Sequence, residues 1–164
     1  ATIFAAKSGA TVTHVDASKP AITWANENRD LNGMQDAPIR WIVDDVSKFV
    51  AREVKRGVKY DAIIMDPPVY GHGTKGETWD FGKDFPKLLE NCRQLLSDSP
   101  LFVLVNAYAV SSSSTTLANT LQGILSEFEG SVENGELILT ESSLRAGGSM
   151  GRRLSTGIWA RWDK

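Results

Sequence analysis

Tyr60-Asp61-Ala62-Ile63-Ile64-Met65-Asp66-Pro67-Pro68 sets two opposed local instructions side by side. Residues 60–65 form a nearly continuous apolar run, the pattern of a parallel strand covered on both faces. At Asp66 the run ends abruptly, because Pro67 and Pro68 fix φ and carry no N–H, so neither a ladder nor a helix passes through them. A strand buried on both faces requires crossover helices, and its neighbours in sequence are therefore expected to alternate strand and helix.

They do so in both directions. Upstream, residues 11–16 (Thr-Val-Thr-His-Val-Asp) read as a strand. Ser18 as N-cap and Pro20 in the first turn then open a helix through Ile22, Trp24, Ala25 and Asn28 to about Leu31, stopped by Asn32-Gly33. Residues 39–43 give a short strand ending at Asp44-Asp45, and Ser47 is the expected cap of a helix in which Phe49, Val50 and Val54 share a face and Gly57 closes it. Downstream, residues 69–82 hold glycines at 71, 73, 76 and 82 and read as a long irregular loop.

A helix is predicted from about Asp84 to Leu96 with Leu88, Leu89, Cys92, Leu95 and Leu96 on one side, then a strand over residues 101–106. Ser111 to Ser114 lead into a further helical spacing of Leu117, Leu121, Ile124, Leu125 and Phe128. Residues 135–140 and 156–162 close the chain as an antiparallel hairpin at the sheet edge. The order is that of an open α/β sheet with right-handed crossovers, which binds ligands at the carboxyl ends of its strands.

Composition sets the outer bounds. The 164 residues fit one core, and 41% hydrophobic with 23% charged residues excludes fibrous and disordered classes. A net charge of -2 provides no general positive field, so any nucleic-acid contact is local. No apolar run reaches the roughly 18 residues of a membrane-spanning helix. A single cysteine makes no internal disulfide, and together with two histidines it offers no metal constellation. A reducing, cytoplasmic setting is the expectation.

Asp16, Asp44 or Asp45, and Asp66 all fall at predicted strand ends. Acids at those ends converge on one ligand in such a sheet: the second strand's acid accepts from both ribose hydroxyls, the third strand's from an adenine amino group. Together these describe an adenosine cofactor, set against the alternative that each acid caps the helix after it. In Asp66-Pro67-Pro68-Val69-Tyr70-Gly71, the carbonyls about the prolines are expected to be free for a ligand, with Asp66 as acceptor and Tyr70 as stacking platform. A planar, amino-bearing group suits that arrangement.

These residues resemble the class I S-adenosylmethionine-dependent methyltransferases, in the bacterial branch related to the large-subunit ribosomal RNA methyltransferases. The resemblance rests on His14-Val15-Asp16-Ala17-Ser18 with Trp24-Ala25-Asn26-Glu27-Asn28, on Asp44-Asp45-Val46, on residues 60–68, and on the extension Tyr70-Gly71-His72-Gly73-Thr74-Lys75-Gly76-Glu77-Thr78-Trp79. It implies a Rossmann-like open, mostly parallel sheet and a single catalytic domain over residues 1–164. S-adenosyl-L-methionine is the implied cofactor: Asp16, Ala17 and Ser18 hold its ribose, Asp44, Asp45 and Val46 its adenine side. Asp66, Pro67, Pro68 and Tyr70 form the target-facing wall, with Asp66 also bordering the cofactor. By the same resemblance the first strand, the glycine-rich loop and a substrate-gripping region belong before Ala1, so the chain is expected to be truncated at its N-terminus.

The implied substrate is RNA, ribosomal RNA first, methylated on a nitrogen. Relatives that methylate carbon 5 of cytosine carry a cysteine where this chain has Asn106-Ala107-Tyr108-Ala109-Val110, and Cys92 lies on an apolar helix face. His72 is an acid/base or phosphate-contact candidate and His14 a structural one. Two modest basic groups, Lys48, Arg52, Lys55, Arg56 and Lys59, then Arg145, Arg152 and Arg153, are phosphate candidates, the first reading more simply as a solvated face. Two other functions stay open: a nicotinamide-dependent oxidoreductase, since dinucleotide folds also place a ribose-binding acid after the second strand, and a catalytically inactive methyltransferase-like binding module.

Overall fold

The structure, a computed structural model, describes residues 1–72, 78–141 and 151–164. Its contacts fall into two compact units, Ala1–Val58 and Lys59–Lys164.

In the first unit, α1 (Thr2–Lys7), β1 (Val12–Asp16), α2 (Lys19–Leu31), β2 (Ile39–Val43) and α3 (Val46–Lys55) follow in order. β1 and β2 run parallel in a register from Val12 opposite Ile39 to Asp16 opposite Val43. The Ser18 hydroxyl accepts the Ala21 N–H at 3.3 Å, with Pro20 in the first turn, where a missing N–H costs nothing. Gly33 follows the helix with a φ of 65°, a left-handed conformation that suits glycine. The cap of α3 is Asp45 rather than the expected Ser47: the Asp45 carboxylate reaches the Lys48 N–H at 2.9 Å, while Ser47 is already inside the first turn.

Glu53 on α3 is 1% exposed, an unusual place for a carboxylate. Arg40 from β2 donates to one of its oxygens at 3.3 Å and Arg56 to the other at 3.0 Å. The Arg40 guanidinium also lies 5.7 Å from the Phe49 ring centroid, so strand and helix are tied by charge as well as by apolar contact.

The second unit contains β3 (Ala62–Met65), β4 (Tyr70–His72), β5 (Thr78–Asp80), α4 (Phe81–Arg93), β6 (Phe102–Ala107), α5 (Ser114–Ile124), β7 (Ser131–Thr140) and β8 (Arg153–Asp163). Its main sheet has the order β3-β6-β8-β7, with β3 and β6 parallel and the two later pairings antiparallel. The C-terminal antiparallel pair thus lies at the sheet edge, as expected. Within that pair β8 lies inside, between β6 and β7, and β7 is the outer strand, with β3 at the opposite edge of the sheet.

Alternate residues of β6 are buried, and Val103 and Val105 belong to a core that also holds Leu88, Leu89, Leu117, Leu121, Leu125, Ala160 and Trp162. Each such large side chain contributes about 1.5–3 kcal/mol on burial. Gly157 in β8 is required by packing: a Cβ there would lie 2.8 Å from the Ala107 carbonyl oxygen and 2.9 Å from the Tyr108 ring.

Residues 69–82 are not one irregular loop. β4 and β5 pair antiparallel with Tyr70 opposite Asp80 and Gly71 opposite Trp79, and α4 begins at Phe81, earlier than Asp84. Two acids fix that start: Asp80 accepts the Lys83 N–H at 3.1 Å, and Asp84 accepts the Asp80 N–H at 2.8 Å. α5 ends at Ile124, so Phe128 lies beyond it, edge-on to Trp162 with centroids 5.9 Å apart. Among the described residues no helix is long and apolar enough to cross a membrane.

Candidate functional site

The carboxyl edge of the first unit brings two of the sequence-marked acids together. The Asp44 N–H donates to the Asp16 carbonyl at 3.1 Å, which sets residues 16–18 beside residues 44–46. One Asp16 carboxylate oxygen accepts the Ser18 N–H at 2.6 Å and thereby shapes the turn into α2. Ala17 and Ser18 are exposed, and the Ser18 hydroxyl is committed to its cap.

Asp44 and Asp45 have different tasks. Asp44 accepts the Asp45 N–H at 2.9 Å and pairs with Arg52, whose hydrogen bond holds the Asp44 carboxyl below its ordinary range. Asp45 caps α3 through one oxygen. A single capping bond leaves Asp16 and Asp45 each a second oxygen that can accept from hydroxyl or amino donors. Val46 follows with a 39% exposed apolar side chain, a surface on which a planar ring can lie. Acceptors of that kind beside an exposed apolar residue fit the ribose and adenine of an adenosine group.

In the second unit Asp66 stands at the end of β3 with no hydrogen-bond or ion-pair partner among the described residues. Partial desolvation raises its carboxyl above the ordinary value. The Pro67 carbonyl is likewise without a partner among the described residues. The other carbonyls are not free as expected: Pro68 accepts from the Trp79 indole N–H at 2.7 Å, and Val69 accepts the Phe81 N–H at 2.9 Å. Their engagement follows from the β4–β5 pair, which folds Trp79 back over the prolines.

Tyr70 is 72% exposed and forms one side of a cleft of about 440 Å³. Phe81 and Phe85, stacked with centroids 4.8 Å apart, contribute an aromatic wall; Ser111, Ser112 and Thr116 contribute hydroxyls. By its sequence the segment after β6 reads only as a capping region. Its run of Ser111 to Ser114 was the available signal, and the structure adds Ala109 at a φ of 52°, a strained conformation for a residue with a Cβ. Among the described residues no lysine or arginine lines this cleft.

The remaining candidates are more ordinary. The His14 Nδ1 lies 2.7 Å from the Thr2 hydroxyl and its ring 5.1 Å from that of Trp41, and burial lowers its pKa, as suits a structural histidine. Cys92 is buried and its thiol is pushed up to about 12, so it is no nucleophile. His72 contributes backbone to β4, whereas residues 73–77 and Arg145 lie outside the described residues. Arg52 and Arg56 pair with acids, Lys59 donates to the Gln94 carbonyl at 3.0 Å, and Arg152 pairs with Glu141. Arg153 is exposed at the start of β8.

Among known proteins, this α/β fold is matched by S-adenosylmethionine-dependent methyltransferases. No family model matches the chain. The structure of an S-adenosylmethionine-dependent methyltransferase from Agrobacterium tumefaciens is 44% identical with a TM-score of 0.90, over 97% of this chain and 50% of that one. Ribosomal RNA large subunit methyltransferase K/L of Vibrio cholerae is 33% identical over 108 residues, 65% of this chain and 15% of the relative. Ribosomal RNA large subunit methyltransferase K of Neisseria meningitidis is 29% identical over 107 residues, 64% of this chain and 30% of the relative.

The chain is thus related to class I S-adenosylmethionine-dependent methyltransferases, on the side of the large-subunit ribosomal RNA enzymes, and spans less than a third of the length of these two curated relatives. The resemblance read from the sequence is borne out, as is the Rossmann-like α/β class.

Proposed function

We propose that residues 1–164 serve as one catalytic domain for methyl transfer from S-adenosyl-L-methionine to a nitrogen of RNA, with large-subunit ribosomal RNA the favoured substrate and the cytoplasm the setting. The observation that carries this reading is the pair of acceptors at the end of β3: the Asp66 carboxylate and the Pro67 carbonyl, neither with a partner among the described residues. Two acceptors separated by one residue suit the two hydrogens of an exocyclic amino group or the edge of a nitrogen base. Tyr70, exposed beyond them, is available to stack on the same ring.

The cofactor supplies a methyl group already activated on a sulfonium, so the protein's task is positioning and the exclusion of water. In the first unit Asp16, with Ala17 and Ser18 at the turn, holds the ribose hydroxyls. Asp45 and Val46 hold the adenine, and Arg52 keeps Asp44 ionised beside them. In the second unit Asp66 and the Pro67 carbonyl orient the acceptor nitrogen and Asp66 stands by to take its proton. Cys92 has no role in this scheme, and covalent attack on a carbon is not required.

The similarity to methyltransferases favours methyl transfer over hydride transfer. Competition binding with S-adenosylhomocysteine and NAD on the natural full-length protein tests this directly: S-adenosylhomocysteine is expected to bind, and a preference for NAD overturns the reading. Incorporation of labelled methyl groups into large-subunit ribosomal RNA transcribed in vitro tests the substrate. Absence of turnover on every RNA, with cofactor binding intact, would favour the binding-module alternative.

A further inference from the structure

The Asp66-Pro67-Pro68 turn has three carbonyls in a row and no N–H after Asp66, so nothing within the turn fixes which carbonyl faces outward. The fixing contact comes from eleven positions later: the Trp79 indole N–H donates to the Pro68 carbonyl at 2.7 Å. Trp79 reaches it because it sits directly across the β4–β5 pair from Gly71. A Cβ at Gly71 would be 3.5 Å from the Trp79 Cβ and 3.7 Å from the Pro68 Cγ, so the indole and the proline ring share the face that glycine leaves open. One residue on, the Phe81 N–H holds the Val69 carbonyl at 2.9 Å.

We infer that Trp79 is a positioning residue for methyl transfer: its indole N–H sequesters the Pro68 carbonyl and so presents the Asp66 carboxylate and the Pro67 carbonyl as the acceptor pair. The inference rests on the role proposed for Asp66. It follows from elimination within the turn. With the Pro68 and Val69 carbonyls both occupied, the acceptors left open among the described residues between the end of β3 and Tyr70 are those of Asp66 and Pro67. Without the indole bond the Pro68 carbonyl becomes a competing acceptor, and the turn gains a second orientation in which the substrate nitrogen is held off line. The bond belongs to the second unit, whereas the residues assigned to the ribose and adenine belong to the first.

The test is Trp79→Phe in the natural full-length protein, which keeps an aromatic ring across Gly71 and removes the N–H. Methyl transfer to in vitro transcribed large-subunit ribosomal RNA is expected to lose about 10- to 100-fold in kcat, the scale of a misplacement of about 1 Å. Binding of S-adenosylhomocysteine is expected to stay within twofold. In the parent, the Trp79 indole N–H should exchange slowly with solvent, and amide spectra should show the β4–β5 pairing intact in both proteins. A kcat within twofold of the parent overturns the inference, as does a loss of activity accompanied by loss of the β4–β5 pairing, which makes Trp79 structural only. No turnover by the parent itself overturns the methyl-transfer reading, and this inference with it, an outcome distinct from equal turnover by parent and variant.

Discussion

The Asp44 N–H donates to the Asp16 carbonyl at 3.1 Å, continuing the β1–β2 ladder just past its last paired residues. That single bond holds two acids, 28 positions apart in sequence, at adjoining strand ends. Their carboxylates nevertheless have separate duties, one shaping the turn to α2 and the other pairing with Arg52.

Asp16→Ala is expected to weaken S-adenosylhomocysteine binding by about 10- to 100-fold. Each charge-assisted hydrogen bond to a ribose hydroxyl contributes about 1.5–3 kcal/mol, and tenfold in affinity corresponds to about 1.4 kcal/mol. Isothermal titration measures it, and an unchanged affinity removes Asp16 from the cofactor site.

Arg52→Ala should let the Asp44 carboxyl return toward its ordinary value, since the Arg52 hydrogen bond is the chief cause of its depression. A depressed acid contributes stability above its unfolded value and loses it as pH falls through the folded one. The variant should therefore lose stability near neutral pH and show a weaker decline on acidification. The pair is partly solvent-exposed, so the difference should be below about 1 kcal/mol. Denaturation midpoints across pH, with a carboxyl titration by nuclear magnetic resonance, provide the check.

Asp66→Asn should abolish methyl transfer, by more than about 100-fold, while S-adenosylhomocysteine binding stays within a few-fold. Desolvation raises this carboxyl, so its charged form is the disfavoured one in the fold. The stability it costs sets in as pH rises from the unfolded value through the folded one. At neutral pH the variant should be no less stable than the parent, and the midpoint difference between them should vanish in acid. Full activity in Asp66→Asn would remove the carboxylate from the mechanism.

Ala109→Gly should stabilise the second unit by about 0.5–1 kcal/mol, because the φ of 52° penalises a Cβ and the more flexible unfolded chain takes back part of the gain. Chemical denaturation tests the sign. A loss of stability would mean that the Ala109 methyl makes contacts worth more than the strain.

Cys92 should resist thiol reagents in the folded protein at neutral pH, its thiol being buried and pushed up to about 12. Cys92→Ser is expected to cost about 1–3 kcal/mol by burying a hydroxyl, and to leave the rate of methyl transfer per folded molecule unchanged. Fast alkylation of the native protein would contradict the packing described for α4.

Much of this fold is legible in the residues because local and tertiary instructions agree. β2 has the bounds read for it, the apolar run of β3 stops at Asp66, and Ser18 caps α2. Where local chemistry offers several solutions the sequence is ambiguous. Asp45 and Ser47 are both good caps, and only the reach to the Lys48 N–H selects Asp45. Asp80 and Asp84 both suit a helix start, and their reciprocal bonds put it at Phe81. β4 and β5 were missed because glycines in that stretch mask any alternation, and the pair owes its form to the Trp79 indole and Gly71, a contact across strands that no local pattern announces. For the site, the acids and the Asp-Pro-Pro turn were visible in advance; the Ser111 and Thr116 side of the cleft was not, because a polar run reads first as a cap.

The interior position of β8 governs the timing of synthesis. β6 leaves the ribosome well before Arg153–Asp163, yet its hydrogen-bonding partner on one side is β8. Until that last stretch emerges, Val103 and Val105 have no sheet neighbour there, Trp162 is missing from the core, and β7 has no partner. The sheet of the second unit thus stays unfinished on the nascent chain until translation has passed Asp163, since its most distant pairings form last.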